Sequence, residues 1–370
     1  MPKGNPGDAD TAPEDYGAMR LDVLTSSAAG DARYRIQTEV QRTMRDLRLK
    51  RNAIELGQLK TWSRRARSSR PEHIRLIKVL VRTGIRWLGL RSRGERNALS
   101  PVLKHYRFEF DALPEAFHGF RILHLSDLHV DGLPGLAECV ATRLSDLVVD
   151  LCVLTGDYRF AVTGPCHNVY PNMQRLLAGV NARQGIVGIL GNHDMAEMVP
   201  AFERLGVRML MNESLELRRG LDSVWLVGVD DPHHYGCDDL PGALLDVPKQ
   251  AFKILLVHTP ELIPEADQHG VRLYLCGHTH GGQICLPFFG PLLTHANCPR
   301  RYVRGAWQYN NVIGYTSSGV GCSGVTARFL CPPEIVLIEL CRTRRWESQQ
   351  NSMSSSATRA VPATIPTRMR

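Results

Sequence analysis

Asp127-Leu128-His129, Gly156-Asp157, Gly191-Asn192-His193-Asp194, His258 and Gly277-His278-Thr279-His280 set carboxylates, imidazoles and one carboxamide into five short segments of a 370-residue chain. These are the oxygen and nitrogen donors that divalent cations of the manganese, iron, zinc and cobalt type accept. Asp127 and His129 stand two residues apart, so on a strand end they face the same way and can share one cation. Asp157 follows a glycine that allows close backbone approach, and its two oxygens can each serve a different cation. Asn192 offers a neutral oxygen to the second cation. His258, His278 and His280 add three imidazoles, two of them again at strand-end spacing. The ordered set supplies donors for two adjacent divalent metals, with manganese favoured and iron, zinc or cobalt also suited to the ligands.

Something must hold those segments together, and the residues before each of them say what. Apolar runs at Ile122–Leu125, Leu151–Thr155, Gly185–Leu190, Phe252–Val257 and Leu273–Cys276 each end at a donor or one to two residues short of one. Runs of that length read as buried strands, and open α/β sheets build their sites at the C-terminal ends of strands. A lone Asp or His at a strand end is usually just a hydrogen-bonded loop residue, but five in order are not explained that way. His124 has the opposite face parity to Asp127 and reads as a core histidine or one that supports a ligand.

The pattern D-x-H, G-D, G-N-H-D, H, G-H-x-H resembles the calcineurin-like metallophosphoesterases from about Phe120 to about Leu340. The resemblance implies a four-layer α/β/β/α sandwich, here preceded by a basic helical extension. It also implies one metal held by Asp127, His129, Asp157 and His280 and another by Asp157, Asn192, His258 and His278. His193 is then free to assist the leaving group, with Asp194 either orienting it or capping a following helix. Phe160 stands where purple acid phosphatases carry an iron-binding tyrosine, and His193 where the soluble UDP-diacylglucosamine hydrolases usually carry arginine. The longer run Gly277–Gln283, with Ser318-Gly319-Val320-Gly321, Arg328 and Cys331–Ile335, is similar to a membrane-associated bacterial branch. Its members are phosphodiesterases or phosphatases, several acting on lipid-linked phosphates that include UDP-diacylglucosamine. In that frame Gln283 offers an amide to substrate or to a ligand.

Charge is distributed unevenly. Residues 51–100 carry a net +10, residues 341–370 a net +5, and residues 101–340 a net −7. An acidic catalytic segment offers no continuing basic groove, which argues against nucleic acid as a partner. Arg75, Lys78, Arg82 and Arg86 recur at helical spacing with Ile77, Leu80, Val81, Trp87 and Leu88 around them, which predicts a basic amphipathic helix over 75–90. Such a helix suits an anionic membrane surface; the alternative is packing on the catalytic domain. No apolar run is long enough to span a bilayer and no signal-peptide core follows Met1. The expected location is therefore cytoplasmic, peripheral on the inner membrane face.

Residues 1–32 and 341–370 read as disordered, 33–97 as the helical extension and 101–340 as the catalytic domain. Ile36, Val40, Met44, Leu47 and Ile54 predict a surface helix within 33–62, followed by a turn at Ser68–Pro71. The ten cysteines show no C-x-x-C spacing and read as reduced core residues. His233, in the loop Gly228–His234, is a candidate substrate contact, as are Arg300 and Arg301, whose forks suit a diphosphate but equally describe a solvated surface pair. The expected activity is hydrolysis of a phosphodiester or pyrophosphate bond, on a lipid-linked substrate or alternatively on nucleotides and small phosphoesters. A nuclease, or a non-catalytic module on the same fold, is the remaining alternative.

Overall fold

Each central strand buries both faces, so the apolar runs lack simple alternation and two layers must cover them. The computed structural model describes residues 43–57, 72–288, 290–291 and 296–343, with side chains in the helix Glu72–Trp87 described from Val79 on. Two six-stranded sheets form the centre. The first runs, in spatial order, Val102–Phe110, Glu334–Arg342, Phe120–Leu125, Leu151–Leu154, Ile186–Gly188, Val207–Met209. Glu334–Arg342 is antiparallel to Phe120–Leu125, and the strands from Phe120–Leu125 onward are mutually parallel. The second runs Gly305–Tyr309, Val312–Thr316, Leu273–Cys276, Phe252–Leu256, Asp222–Gly228, Glu213–Arg219. Its four inner strands are parallel and both edges antiparallel.

Side-chain parity sorts the core into layers. Ile122, Leu151, Val153 and Val187 of the first sheet meet Val224, Leu226, Ile254, Leu256 and Leu275 of the second in one inter-sheet core. Their neighbours Leu123, Leu125, Cys152 and Leu154 face the other way, onto Leu136 and Val140 of helix Leu136–Leu144 and Met173 and Leu176 of helix Val169–Leu177. On the far side, Val227, Leu255, Val257 and Tyr274 pack on Leu240 and Ala243, and on Ile263 and Ala266 of helix Ile263–Gln268. The molecule is thus an α/β/β/α sandwich. The parallel strands of both sheets end at one rim, and that is where the donor segments lie.

The N-terminal helices differ in part from expectation. The helix over 43–57 lies on the surface with most of its residues exposed and Met44, Leu47 and Ile54 half-buried, but Arg51 and Glu55 on its inner face are buried against the sandwich. Its apolar stripe faces inward as the spacing required, but two charged residues sit at the centre of that face. The amphipathic helix spans Glu72–Trp87 rather than 75–90. Gly89, at φ +66°, turns the chain into a further helix, Arg91–Ala98, which docks Gly94 and Asn97 onto the 327–329 segment. Among the described residues no helix is long and apolar enough to cross a membrane. The expected disorder of 1–32, Ile36, Val40, the Ser68–Pro71 turn, the side chains of Arg75, Ile77 and Lys78, and the tail from residue 344 lie outside what is described.

Candidate metal centre

The rim turns are tight, and the chain enters them in an uncommon conformation. Asp127, His129, Asp157, His278 and His280 all have positive φ, between +39° and +68°. Asp and His tolerate the left-handed region better than most side chains, yet each such residue holds local strain that the surrounding hydrogen bonds must offset. The bonds are present. Asp127 N donates to Gly156 O at 3.0 Å, His129 N to Asp157 O at 3.0 Å and Gly277 N to His258 O at 2.9 Å. Gly191 is required because a Cβ there would strike the Asp157 carboxylate and come within 2.9 Å of the His258 ring.

Three overlapping groups of donors result. Asp127, His129 and His280 form one, Asp157, His258 and His278 a second, and His129, Asp157 and His193 a third that shares members with the other two, with the donor atoms of each within 4.8 Å of one another. Asp157 faces the first two: its Oδ1 is 3.3 Å from His258 Nε2 and its Oδ2 3.7 Å from His129 Nε2. In the first group, His129 Nε2 and His280 Nε2 are 3.1 Å apart and Asp127 Oδ1 is 3.3 Å from His280 Nε2. In the second, Asn192 Oδ1 lies 3.1 Å from His258 Nε2 and 2.8 Å from His278 Nδ1.

Ring orientation supports the fit to cations. His129 Nδ1 donates to Arg159 O at 2.6 Å and His258 Nδ1 to Thr155 O at 2.7 Å. A carbonyl only accepts, so Nδ1 carries the proton in both rings and Nε2 is left to face the cluster. Burial would raise the Asp157 carboxyl, but His258 and His193 beside it hold it well below the usual range. Burial would lower His258, yet Asp157 takes it up to about 10, so a proton and a cation compete for the same Nε2. Burial, with His129 and Arg328 nearby, pushes His280 well down and keeps it a neutral donor. The concentration of acceptors around Asp157 is what two divalent ions would neutralise.

His193 Nδ1 donates to Phe160 O at 2.9 Å, which aims Nε2 at Asp157 Oδ2, 3.8 Å away. Its ring meets that of His129 edge-on with centroids 4.9 Å apart. His233 bonds Glu261 at 2.8 Å and lies on the His278 ring at 4.5 Å, and the Glu261 hydrogen bond raises it above the ordinary imidazole value. His124 is fully buried, bonds Thr155 Oγ1 at 2.8 Å and is pushed down to about 3 by burial, as suits a core residue.

Three expectations need correcting or narrowing. Asp194 neither caps a helix nor turns its carboxylate to His193 Nδ1, which Phe160 O holds. Its oxygens accept Asp157 N at 2.7 Å, Tyr158 N at 2.8 Å and Gly191 N at 2.8 Å, and Met195 is the residue before the next helical turn. Burial pushes Asp194 up to about 6 in spite of those amides. The Gln283 amide is taken up within the protein: it donates to Val325 O at 2.6 Å and Ala327 O at 3.1 Å and accepts from Ser323 N at 2.7 Å. Arg300 and Arg301 are exposed on the turn Arg300–Tyr302, with the Arg301 guanidinium 4.6 Å over the Tyr302 ring, as in a solvated pair.

Sequence reasoning gave no site role to the buried guanidiniums of Arg51 and Arg328. Arg328 donates to the carbonyls of Ser318, Gly319, Gly321 and Cys331, and its Nη2 is 3.4 Å from His280 Nδ1. A single arginine in an otherwise neutral loop is the signal that marks it.

Comparison with known proteins agrees with this geometry. Residues 120–282 match the family of calcineurin-like phosphoesterases. The metallophosphoesterase YkuE of Bacillus subtilis is 32% identical over 243 residues, covering 62% of this chain and 82% of that protein. A second B. subtilis metallophosphoesterase, YkoQ, is 28% identical, covering 62% and 86%. The phosphodiesterase YaeI of Escherichia coli is 27% identical, covering 60% and 82%. With the matched segment bearing all seven clustered donors, and with relatives covered over most of their length, the chain belongs to the calcineurin-like metallophosphoesterase family.

Proposed function

We propose that the protein hydrolyses a phosphodiester or pyrophosphate bond with two divalent metals. Asp127, His129, Asp157 and His280 would hold one, and Asp157, Asn192, His258 and His278 the other. The observation that carries this reading is the pair of Asp157 oxygens facing two separate donor groups. Two cations held by these residues would supply an acidified water near neutral pH and offset the charge that gathers on a phosphoryl group. The chain's own part is placement. The positive-φ turns fix the donors before substrate arrives, so little reorganisation is left to the reaction. His193, held through Nδ1 by Phe160 O, presents Nε2 beside Asp157 and gives a proton or hydrogen bond to the leaving oxygen. His233, whose cationic form the Glu261 hydrogen bond favours, meets the anionic substrate at the edge of the His278 ring.

The substrate we propose is lipid-linked, with UDP-diacylglucosamine as reference compound, met at an anionic cytoplasmic membrane surface. Support comes from the extended Gly277–Gln283 motif and from the helix Glu72–Trp87. There Trp87 is 85% exposed and Leu88 just after it 72%, beside Arg82 and Arg86. Hydrolysis by manganese-loaded protein of bis-p-nitrophenyl phosphate against UDP-diacylglucosamine in mixed micelles, with and without anionic lipid, tests both parts. Fast cleavage of the lipid nucleotide that anionic lipid stimulates is expected. Cleavage of the small ester alone would discard the lipid substrate and direct the search to nucleotides.

A further inference from the structure

We infer that Arg51, far outside the family-matched segment, is a positioning residue for the loop that presents Asn192 and His193. This rests on the two-metal reading. Arg51 is fully buried, and a buried guanidinium persists only where its donors are met. Its Nε donates to Glu55 at 2.9 Å, Nη1 pairs with Asp230, and Nη2 donates to Asp194 O at 2.8 Å. Its face lies 4.0 Å over the Tyr235 ring, and the Tyr235 hydroxyl donates to the same Asp194 O at 3.2 Å. Glu55 in turn accepts Ala196 N at 2.9 Å. The helix over 43–57 therefore grips the donor loop at three backbone points, Gly191 O at 3.4 Å, Asp194 O and Ala196 N, on both sides of Asn192 and His193.

Asp194 is held from both sides. Its carboxylate ties Gly191, Asp157 and Tyr158 from within, and Arg51 ties its carbonyl from without. The other arm of the guanidinium reaches Asp230, at the start of the loop that carries His233. One planar fork thus bridges the loop of Asn192 and His193 and the loop of Asp230 and His233, and a lysine, with one charge point, cannot reproduce it. The extension is part of the active-site frame and not only a tether.

The test uses full-length protein in three variants: Arg51→Lys, which keeps charge; Arg51→Met with Asp230→Asn and Glu55→Gln, which leaves neither of its buried carboxylate partners charged and unpaired; and Tyr235→Phe, which deletes one hydroxyl. Manganese binding is measured by calorimetry beside kcat, KM and Tm. In the parent, two manganese ions are expected, and fewer would overturn the two-metal reading before any variant is compared. In both Arg51 variants the weaker manganese constant should fall about 10- to 100-fold, as for partners that orient a metal ligand, and kcat should fall with KM little changed. Tyr235→Phe should move the same quantities in the same direction by less. A lower Tm with both manganese constants and kcat at parental values would make Arg51 merely structural and overturn the inference. Unmoved constants in Tyr235→Phe, should neither Arg51 variant fold, would do the same.

Discussion

The Asp127 carboxylate accepts the backbone N–H of His278, at 3.1 Å to Oδ1 and 3.0 Å to Oδ2. Asp127 follows a strand of the first sheet and His278 a strand of the second, so one side chain joins the two halves of the rim. The same carboxylate belongs to the donor group with His129 and His280. Its charge and its acceptor geometry therefore serve different purposes and can be separated.

Asp127→Asn keeps an oxygen for the His278 amide and loses the charge. It should fold with nearly parental Tm while binding less manganese and losing most turnover. Asp127→Ala also leaves a buried N–H unmet, at a cost of about 1–3 kcal/mol. Denaturant unfolding of both variants beside manganese titration checks this. Equal stability for the two would mean that the cross-sheet bond contributes nothing.

His193→Ala removes the imidazole whose Nδ1 is fixed by Phe160 O while leaving the seven clustered donors in place. Both manganese ions should still bind. The rate on alkyl esters, which need help at the leaving oxygen, should drop by about 100-fold or more. Aryl esters such as bis-p-nitrophenyl phosphate should be affected far less. The comparison of the two ester classes decides, since equal losses on both would deny His193 a role at the leaving group.

Much of the centre was legible because strand ends and donor types are local. Asp127, His129, Asp157, Asn192, His258, His278 and His280 could be read from short segments, and the structure brings all seven together. What escaped depends on distant pairing. Arg51 lies in a stretch of net +10 where nothing local sets it apart, and its partner Asp230 is 179 residues away. Gln283 follows a metal-type motif, but its amide is taken up by residues 323–327, a loop no local pattern links to it. The layers themselves were harder to read, because strands buried on both faces carry no alternation to show which side faces which sheet. The five positive-φ donors give no sequence signal either, since Asp and His enter that region without glycine.

His233 gives the pH dependence. Its hydrogen bond to Glu261 raises its pKa in the folded protein, and burial only partly opposes this. A raised group contributes fully below its unfolded value and loses its contribution as pH rises through the folded value. The His233–Glu261 pair, and attraction for a phosphate, should thus fade above the ordinary imidazole range. In a profile from about pH 6 to about pH 9, KM should rise on the alkaline side. His233→Gln should flatten that limb. A parental limb in His233→Gln would assign the titration to another group.

Membrane attachment is best tested by point changes, because truncating residues 1–97 would also remove Arg51 and Glu55 from the donor loop. Trp87 and Leu88 are exposed and follow Arg82 and Arg86 closely. Burying one such side chain in a bilayer interface contributes about 1.5–3 kcal/mol at most. Trp87→Glu with Leu88→Glu should therefore weaken sedimentation with anionic vesicles by about tenfold or more. Turnover of bis-p-nitrophenyl phosphate should stay at the parental rate. If the double variant sediments as the parent does, the Glu72–Trp87 helix is no anchor, and its apolar face must have another partner.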